Sequence, residues 1–291
     1  MVSLSWRKRW VALLCAISAL IGWSILGSKY ALEAANYVVT SPKLTESIRI
    51  VQLSDLHNSE FGKNNTRLIH MVKKQRPDII LLTGDMLNDI EPETEILVRL
   101  IEKLAEIAPV YASYGNHEIA HEKAYGTDMK DLYAQAGAHM LERTYIDVQI
   151  KGQQVRIGGI YGYCFPGKYA EKNSALKREA DYLTEFQDTD RLSILLCHLP
   201  ESWIHHNSLD AWAVDYVFSG HAHGGQMRLP IIGGVYVPGM GTFPGQMCGL
   251  YASQDGQCRM LLSRGLGSRG VVPRINNTPE IVIADILPQM E

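Results

Sequence analysis

The residues able to do chemistry recur in a few short stretches. Ser219-Gly220-His221-Ala222-His223-Gly224-Gly225-Gln226 carries two imidazoles at i and i+2. Asp55 and His57 repeat that spacing, and Asp85, Asn116, His117 and His198 follow at intervals along the chain. All are oxygen or imidazole donors, and no thiolate shares their pattern. Such a set excludes a cysteine-built structural zinc site and suits catalytic Zn, Mn or Fe. The donors are too many for one ion. Two divalent ions about 3.5–4 Å apart would use them, sharing one carboxylate.

Each donor follows an apolar run that reads as a strand: Ser47–Leu53, Asp78–Leu82, Pro109–Ser113, Arg191–Cys197 and Val214–Phe218. Helical patterns at Arg67–Gln75, Glu93–Ile107, Asp128–Gln135 and Ala175–Phe186 alternate with them. That alternation predicts α/β architecture. Hairpin signals about Lys151-Gly152 and Asp255-Gly256, a strand at Gly233–Val237 and a last one at Ile281–Leu287 add antiparallel pairing. Ligands of open α/β sheets bind at the carboxyl ends of strands. Alternation along a strand sends His221 and His223 off one face, and turns Cys197 away from His198. Taken singly, Asp85 reads equally as a turn residue, Asn116 as a left-handed turn residue and His198 as a satisfied histidine. Their joint occurrence at five strand ends favours one site.

The chain has 291 residues, 46% hydrophobic and 20% charged, which fits a globular protein. Its net charge of -3 gives no reason to expect nucleic acid as a partner. The five cysteines match no metal-ribbon spacing, and the Asp255-Gly256 turn sets Cys258 opposite Ser253, so free thiols are expected.

The amino terminus differs in kind. Arg7-Lys8-Arg9 precedes Val11–Gly27, an uncharged run near the lower limit for spanning a bilayer. A basic start before an apolar run is that of a signal peptide or a signal anchor; lacking a clean small-x-small cleavage site after it, we favour an uncleaved anchor with its juxtamembrane segment over residues 1–35, and read residues 36–291 as one catalytic domain. The positive-inside rule then predicts a single-pass protein of the cell membrane with that domain on the extracytoplasmic side. Residues 36–291 carry a net charge of −6, so the anchor rather than charge attraction must attach them to a membrane.

Asp55-x-His57, Gly84-Asp85, Gly115-Asn116-His117-Glu118, His198 and Gly220-His221-x-His223 resemble the calcineurin-like metallophosphoesterases in order and spacing, over nearly all of residues 47–225. His223-Gly224-Gly225-Gln226, Ser263-Arg264-Gly265-x-Gly267 and Pro279-Glu280-Ile281 are similar to its membrane-associated bacterial branch of YkuE-like and YaeI-like phosphodiesterases. The resemblance implies a four-layer α/β/β/α sandwich of two mixed sheets. It implies that Asp55, His57 and His223 hold one metal, that Asn116, His198 and His221 hold the other, and that Asp85 bridges. His117 would protonate the leaving group or donate to a substrate oxygen. The implied activity is hydrolysis of phosphomonoester, phosphodiester or pyrophosphate bonds in a small-molecule or lipid-linked substrate, with UDP-diacylglucosamine as the family precedent; the alternative is a metal-bound sensing module without turnover. Many relatives carry an acidic pair where this chain has Tyr161-Gly162-Tyr163.

Softer expectations concern substrate contacts. Arg228 follows the His-x-His motif, and Arg264 and Arg269 bracket the glycine-rich turn; each reads equally as a surface arginine, and Arg264 is the preferred phosphate partner. Tyr161, Tyr163, Phe165 and Tyr169 read as a flap over the site, as an apolar lip touching lipid or, more simply, as core packing. His121, His205 and His206 fall outside the pattern and are expected at the surface.

Overall fold

The computed structural model describes residues 3–171, 173–237, 240–245, 247–268 and 273–289. Its strands, in chain order, are β1 (Glu33–Ser41), β2 (Ile48–Leu53), β3 (Ile79–Leu82), β4 (Val110–Ser113), β5 (Ala138–Leu141), β6 (Thr144–Ile150), β7 (Gln153–Ile160), β8 (Leu192–Cys197), β9 (Tyr216–Ser219), β10 (Arg228–Leu229), β11 (Gly233–Val237), β12 (Gly241–Gly245), β13 (Gly249–Ala252), β14 (Arg259–Leu262) and β15 (Glu280–Pro288). One six-stranded sheet runs β1-β15-β2-β3-β4-β5, and a second runs β13-β14-β9-β8-β7-β6. Both are mixed. β2 to β5 are mutually parallel, as are β7, β8, β9 and β14, while β15 and β2, β6 and β7, and β13 and β14 pair antiparallel.

The period-2 alternation of each central strand builds the layers. From β2 and β3, Ile48, Ile50, Ile79 and Leu81 enter a core shared with Ile194, Leu196, Tyr216 and Phe218 of the second sheet. Their neighbours Val51, Leu53, Ile80 and Leu82 face outward, onto helices Thr66–Gln75 and Glu95–Ala105 through Leu68, Val72, Leu97, Leu100 and Leu104. On the far side, Leu195, Cys197 and Val217 pack on Leu183 and Phe186 of helix Lys177–Phe186 and on Trp203. Three apolar cores between four layers give the α/β/β/α sandwich. Strands buried on both faces read as continuous apolar runs, which is how the sequence betrays them.

Strand β1 and the helix after β4 were not foreseen. β1 pairs with β15 from Glu33↔Glu280 onward, so residues 33–35 lie in the sheet. Asn116–Tyr125 is a helix opening at Asn116, where a left-handed turn residue was one reading. That helix carries His121 into the interior. The expectation of a surface histidine is corrected: its ring is fully buried beside Tyr125, with centroids 4.7 Å apart. Of the other two, His205 is exposed and His206 is half-buried against Phe165. Cys248 and Cys258 are free thiols. The amino-terminal helix Ser3–Tyr30 contains Trp6–Ser28, a segment long and apolar enough to cross a membrane.

Candidate metal centre

The parallel strands bring the expected donors to one edge. β2 ends two residues before Asp55, β3 three before Asp85, β4 three before Asn116; β8 ends directly before His198 and β9 two before His221. The two sheets are tied together at that edge: Gln52 Nε2 donates to the Ser219 carbonyl at 2.9 Å, and His198 Nδ1 lies 2.7 Å from the Thr83 carbonyl.

Asp85 is the centre of the arrangement. Its Oδ1 accepts the backbone N–H of His117 at 2.8 Å. Its Oδ2 lies 3.3 Å from His198 Nε2, 3.8 Å from His57 Nε2 and 3.9 Å from His117 Nε2. On one side His57 Nε2 is 3.1 Å from His223 Nε2, which is 3.5 Å from Asp55 Oδ1. On the other, Asp85, His198 and His221 converge. Donors about 2.0–2.2 Å from a common cation, at the angles such ions prefer, lie roughly 3–3.5 Å apart. The 3.1, 3.3 and 3.5 Å separations are those of neighbouring ligands.

Unpaired atoms give an independent test of fit. Asn116 Oδ1 and His223 Nδ1 are buried and make no hydrogen bond among the described residues, and His198 Nε2 has only the Asp85 carboxylate, 3.3 Å away. Leaving such groups unpaired costs about 1–3 kcal/mol each, a cost that coordination removes for Asn116. The donor set and these orphans both fit divalent cations. The backbone agrees: Asp55, His57, Asp85, His221 and His223 hold φ between 46 and 67°. Non-glycine residues seldom adopt that conformation, and such strain gathers at functional sites.

Three of the rings are fixed through Nδ1. His57 Nδ1 meets Asn88 Oδ1 at 3.2 Å, His117 Nδ1 meets Asp89 Oδ1 at 2.8 Å, and His198 Nδ1 meets the Thr83 carbonyl. Each contact fixes a tautomer and turns Nε2 inward, as for metal-site histidines generally. Asn88 and Asp89 were not singled out in the sequence; their position just after Gly84-Asp85 was the available signal. Glu118 also gains a role. Its carboxylate accepts the backbone N–H groups of Asp85, Met86 and Gly115, each at 2.8 Å, and the Tyr133 hydroxyl at 3.2 Å.

Electrostatics favour cation binding. Burial, with neighbouring charges second, pushes the pKa values of His57, His221 and His223 down to about 3, leaving neutral lone pairs. Burial also disfavours charge on His198, but the Asp85 carboxylate overcomes it and raises that ring to about 10. Burial likewise opposes ionisation of Asp85, yet His198, His57 and His117 hold it well below the usual carboxylate range.

Close approach explains two glycines. A Cβ on Gly115 would sit 2.2 Å from Asp85 Oδ1, and one on Gly220 would sit 1.9 Å from Ser54 Oγ and 2.6 Å from Asp55 Oδ2.

The softer expectations divide. Arg264 is not a free cation: its guanidinium is paired with Glu280, at 2.7 Å through Nε, and with Glu33. Arg228 Nη1 donates to the Gly224 carbonyl at 2.9 Å, and Arg269 lies outside the described residues. Arg274, unnoticed in sequence, is buried and donates to the carbonyls of Gly267 and Asn277. Tyr161, Tyr163 and Phe165 line a cleft of about 350 Å³ with Asn116, Glu201 and His221, so they flank the site as well as pack.

A carboxylate–imidazole centre at the carboxyl edges of an α/β/β/α sandwich is the architecture of a metal-dependent hydrolase. The chain belongs to the calcineurin-like phosphoesterase family, matched over residues 48–225, a span that contains every donor above. It is 27% identical to the uncharacterized metallophosphoesterase YkuE of Bacillus subtilis over 87% of this chain and 85% of that protein. It is 25% identical to the uncharacterized metallophosphoesterase YkoQ of the same organism, over 83% and 84% respectively. It is 28% identical to the phosphodiesterase YaeI of Escherichia coli over 82% of each. The protein is a metal-dependent phosphoester hydrolase.

Proposed function

We propose that two divalent cations, Mn, Zn or Fe, occupy this centre and that the chain hydrolyses phosphate esters beside a membrane. The observation that carries the reading is the placement of Asp85 Oδ2 between the two imidazole groups, 3.3 Å from His198 and 3.8 Å from His57. Asp55, His57 and His223 would hold one cation, Asn116, His198 and His221 the other, and Asp85 both. Such cations supply charge neutralisation for a phosphate and a lowered pKa for water. The chain's own residues do the rest. Asn116 offers a neutral oxygen, so the ligands cancel only part of about four positive charges, which favours an anionic substrate. His117, anchored at Nδ1 by Asp89, turns Nε2 towards the site and can pass a proton to the leaving oxygen from that atom. Tyr161, Tyr163 and Phe165 border the Asn116–His221 side and offer apolar contact to the substrate's organic part.

The amino-terminal helix and this cleft support a lipid-linked phosphate or pyrophosphate, UDP-diacylglucosamine being the first to try. We read residues 1–35 as the anchor with its juxtamembrane segment, whose last residues, 33–35, join the sheet of the catalytic unit, and the rest as that unit on the extracytoplasmic side. Arg7-Lys8-Arg9 before the apolar run supports that orientation. A screen of the metal-replete protein tests the function, over bis-p-nitrophenyl phosphate, p-nitrophenyl phosphate and UDP-diacylglucosamine in mixed micelles. Hydrolysis should vanish on chelation and return with Mn or Zn. Turnover that survives chelation would end the metal reading, and soluble esters outcompeting the lipid-linked one would end the substrate reading alone.

A further inference from the structure

The stretch after the His-x-His motif has no part in the centre, yet its composition is unusual. Leu229–Gln254 contains no charged residue, in a chain where one residue in five is charged. Its first part, led in by Arg228, forms the small antiparallel sheet β10-β11-β12, separate from both six-stranded sheets. Five large apolar side chains stand in water there: Leu229, Ile231, Ile232, Tyr236 and Phe243, with Ile231 fully exposed. Ile231 also holds φ 72°, a conformation that suits glycine or asparagine and penalises a β-branched residue. Neither packing nor turn geometry accounts for an isoleucine at that tip.

Its neighbour in space supplies the reason. The backbone N–H of Asn276 donates to Ser24 Oγ at 2.6 Å, and that of Asn277 to Ser28 Oγ at 3.2 Å. Both serines close the apolar helix. Asn276 Nδ2 donates in turn to the carbonyl of Arg228, the first residue of β10, and Arg228 N–H donates to the Ile275 carbonyl. Asn277 Nδ2 donates to the carbonyl of His223 at 2.7 Å. One short segment, 275–277, thus joins the helix end, the small sheet and a metal-site histidine.

If the 23-residue segment Trp6–Ser28 crosses a bilayer, it is about 34 Å long, against a hydrocarbon core of about 30 Å. Trp23, largely exposed and adjacent to Ser24, then lies at the membrane–water boundary that tryptophan favours. Ile231 is three residues from Arg228, hence within about 11 Å of it. The polar zone beside the hydrocarbon is roughly 5–8 Å deep.

We propose that the Leu229–Ile232 turn and strand β12 enter the lipid interface beside the helix, as a second, uncharged membrane contact that holds the His223 side of the centre against the bilayer surface. The inference rests on the membrane-anchor part of the function proposed above and not on the phosphoester chemistry. With no cation in the segment beyond Arg228, insertion is apolar and does not require anionic lipid.

The test uses the full chain in zwitterionic phosphatidylcholine vesicles. The accessible Cys15 and Cys248 are replaced by Ser, and a solvent-sensitive dye is carried on Ile231→Cys, Phe243→Cys or, as a remote control, Asp190→Cys. Vesicle flotation and bis-p-nitrophenyl phosphate hydrolysis are read on the same samples, the second as a check of folding. The expected result is a blue shift at positions 231 and 243, quenching there by doxyl lipids, and no loss in 1 M salt. The dye at position 190 should respond only to aqueous iodide. Flotation with position 231 as open to iodide as position 190 would overturn the insertion and leave the anchor standing. Absence of flotation would overturn anchor and insertion together, while intact hydrolysis kept the enzyme reading. A concentration-dependent blue shift without vesicles would assign the patch to a second copy of the chain instead.

Discussion

His117 Nδ1 lies 2.8 Å from Asp89 Oδ1, while Nε2 of the same ring lies 3.9 Å from the central carboxylate of Asp85. The ring is therefore held from outside the centre and presented to it. Replacing Asp89 by Asn should loosen that hold without removing a donor. We expect turnover to fall about 10–100-fold, as for other partners of site histidines, with metal content unchanged by elemental analysis. His117→Ala should cost about 10²–10⁴-fold with poor alkoxide leaving groups, and far less with p-nitrophenol, which leaves without a proton. Equal losses for both leaving groups would show that His117 is not the acid.

Asp85→Ala should behave differently. The carboxylate is shared by both imidazole groups, so its loss should strip metal and activity together. Metal retained at full stoichiometry would remove Asp85 from the bridging position.

Glu118 makes a third kind of prediction, because it touches no substrate. Its carboxylate gathers three backbone N–H groups and a tyrosine hydroxyl in a fully buried position. Glu118→Gln turns an amide NH₂ against one of those donors. Hydrogen bonds to charged acceptors are worth about 1.5–3 kcal/mol, so we expect a loss of about 2–3 kcal/mol in denaturant unfolding. Weaker metal binding should accompany it, since the Asp85 and Gly115 loops lose their common acceptor.

Two glycines separate crowding from conformational cost. At Gly115 a Cβ would strike Asp85 Oδ1 and its backbone nitrogen, at 2.2 and 2.3 Å. At Gly126, φ 72°, nothing among the described residues lies within 4 Å. Gly126→Ala should cost about 1–2 kcal/mol of stability for the left-handed conformation and keep its metal. Gly115→Ala should displace the Asp85 carboxylate and lose metal even if it folds. Metal binding by both variants alike would refute the steric account.

The protonation pattern sets a pH dependence for metal uptake. His57, His221 and His223, held near 3 mainly by burial, are already neutral at pH 7.5. His198, raised to about 10 by Asp85 against the opposing effect of burial, carries a proton there that a cation must displace. Affinity should rise with pH, roughly tenfold per unit while one proton competes, and level off near 10. Calorimetry in buffers of different ionisation enthalpy should count about one proton released; several would mean the other rings start charged.

Asp55-x-His57, Gly84-Asp85 and Gly220-His221-x-His223 were legible in the sequence because each follows a doubly buried strand, whose unbroken apolar run is a strong local signal. That signal placed the donors at strand ends, and the common direction of parallel strands placed those ends on one edge. Asp89, Asn88 and the acceptor role of Glu118 were not legible, since a carboxylate reaching a ring or a loop across the fold leaves no periodicity. Arg264 looked free for a substrate until Glu280 and Glu33 were seen to neutralise it. His121 looked like a surface residue until its helix turned it inward. The residue types and the order of the strands, with their buried faces, come from local hydrophobic pattern, which a single chain displays in full. Which atom of each ring faces the centre, which charges are already paired and where the amino-terminal helix meets the body depend on contacts between residues far apart in sequence, and only packing the two sheets together decides them.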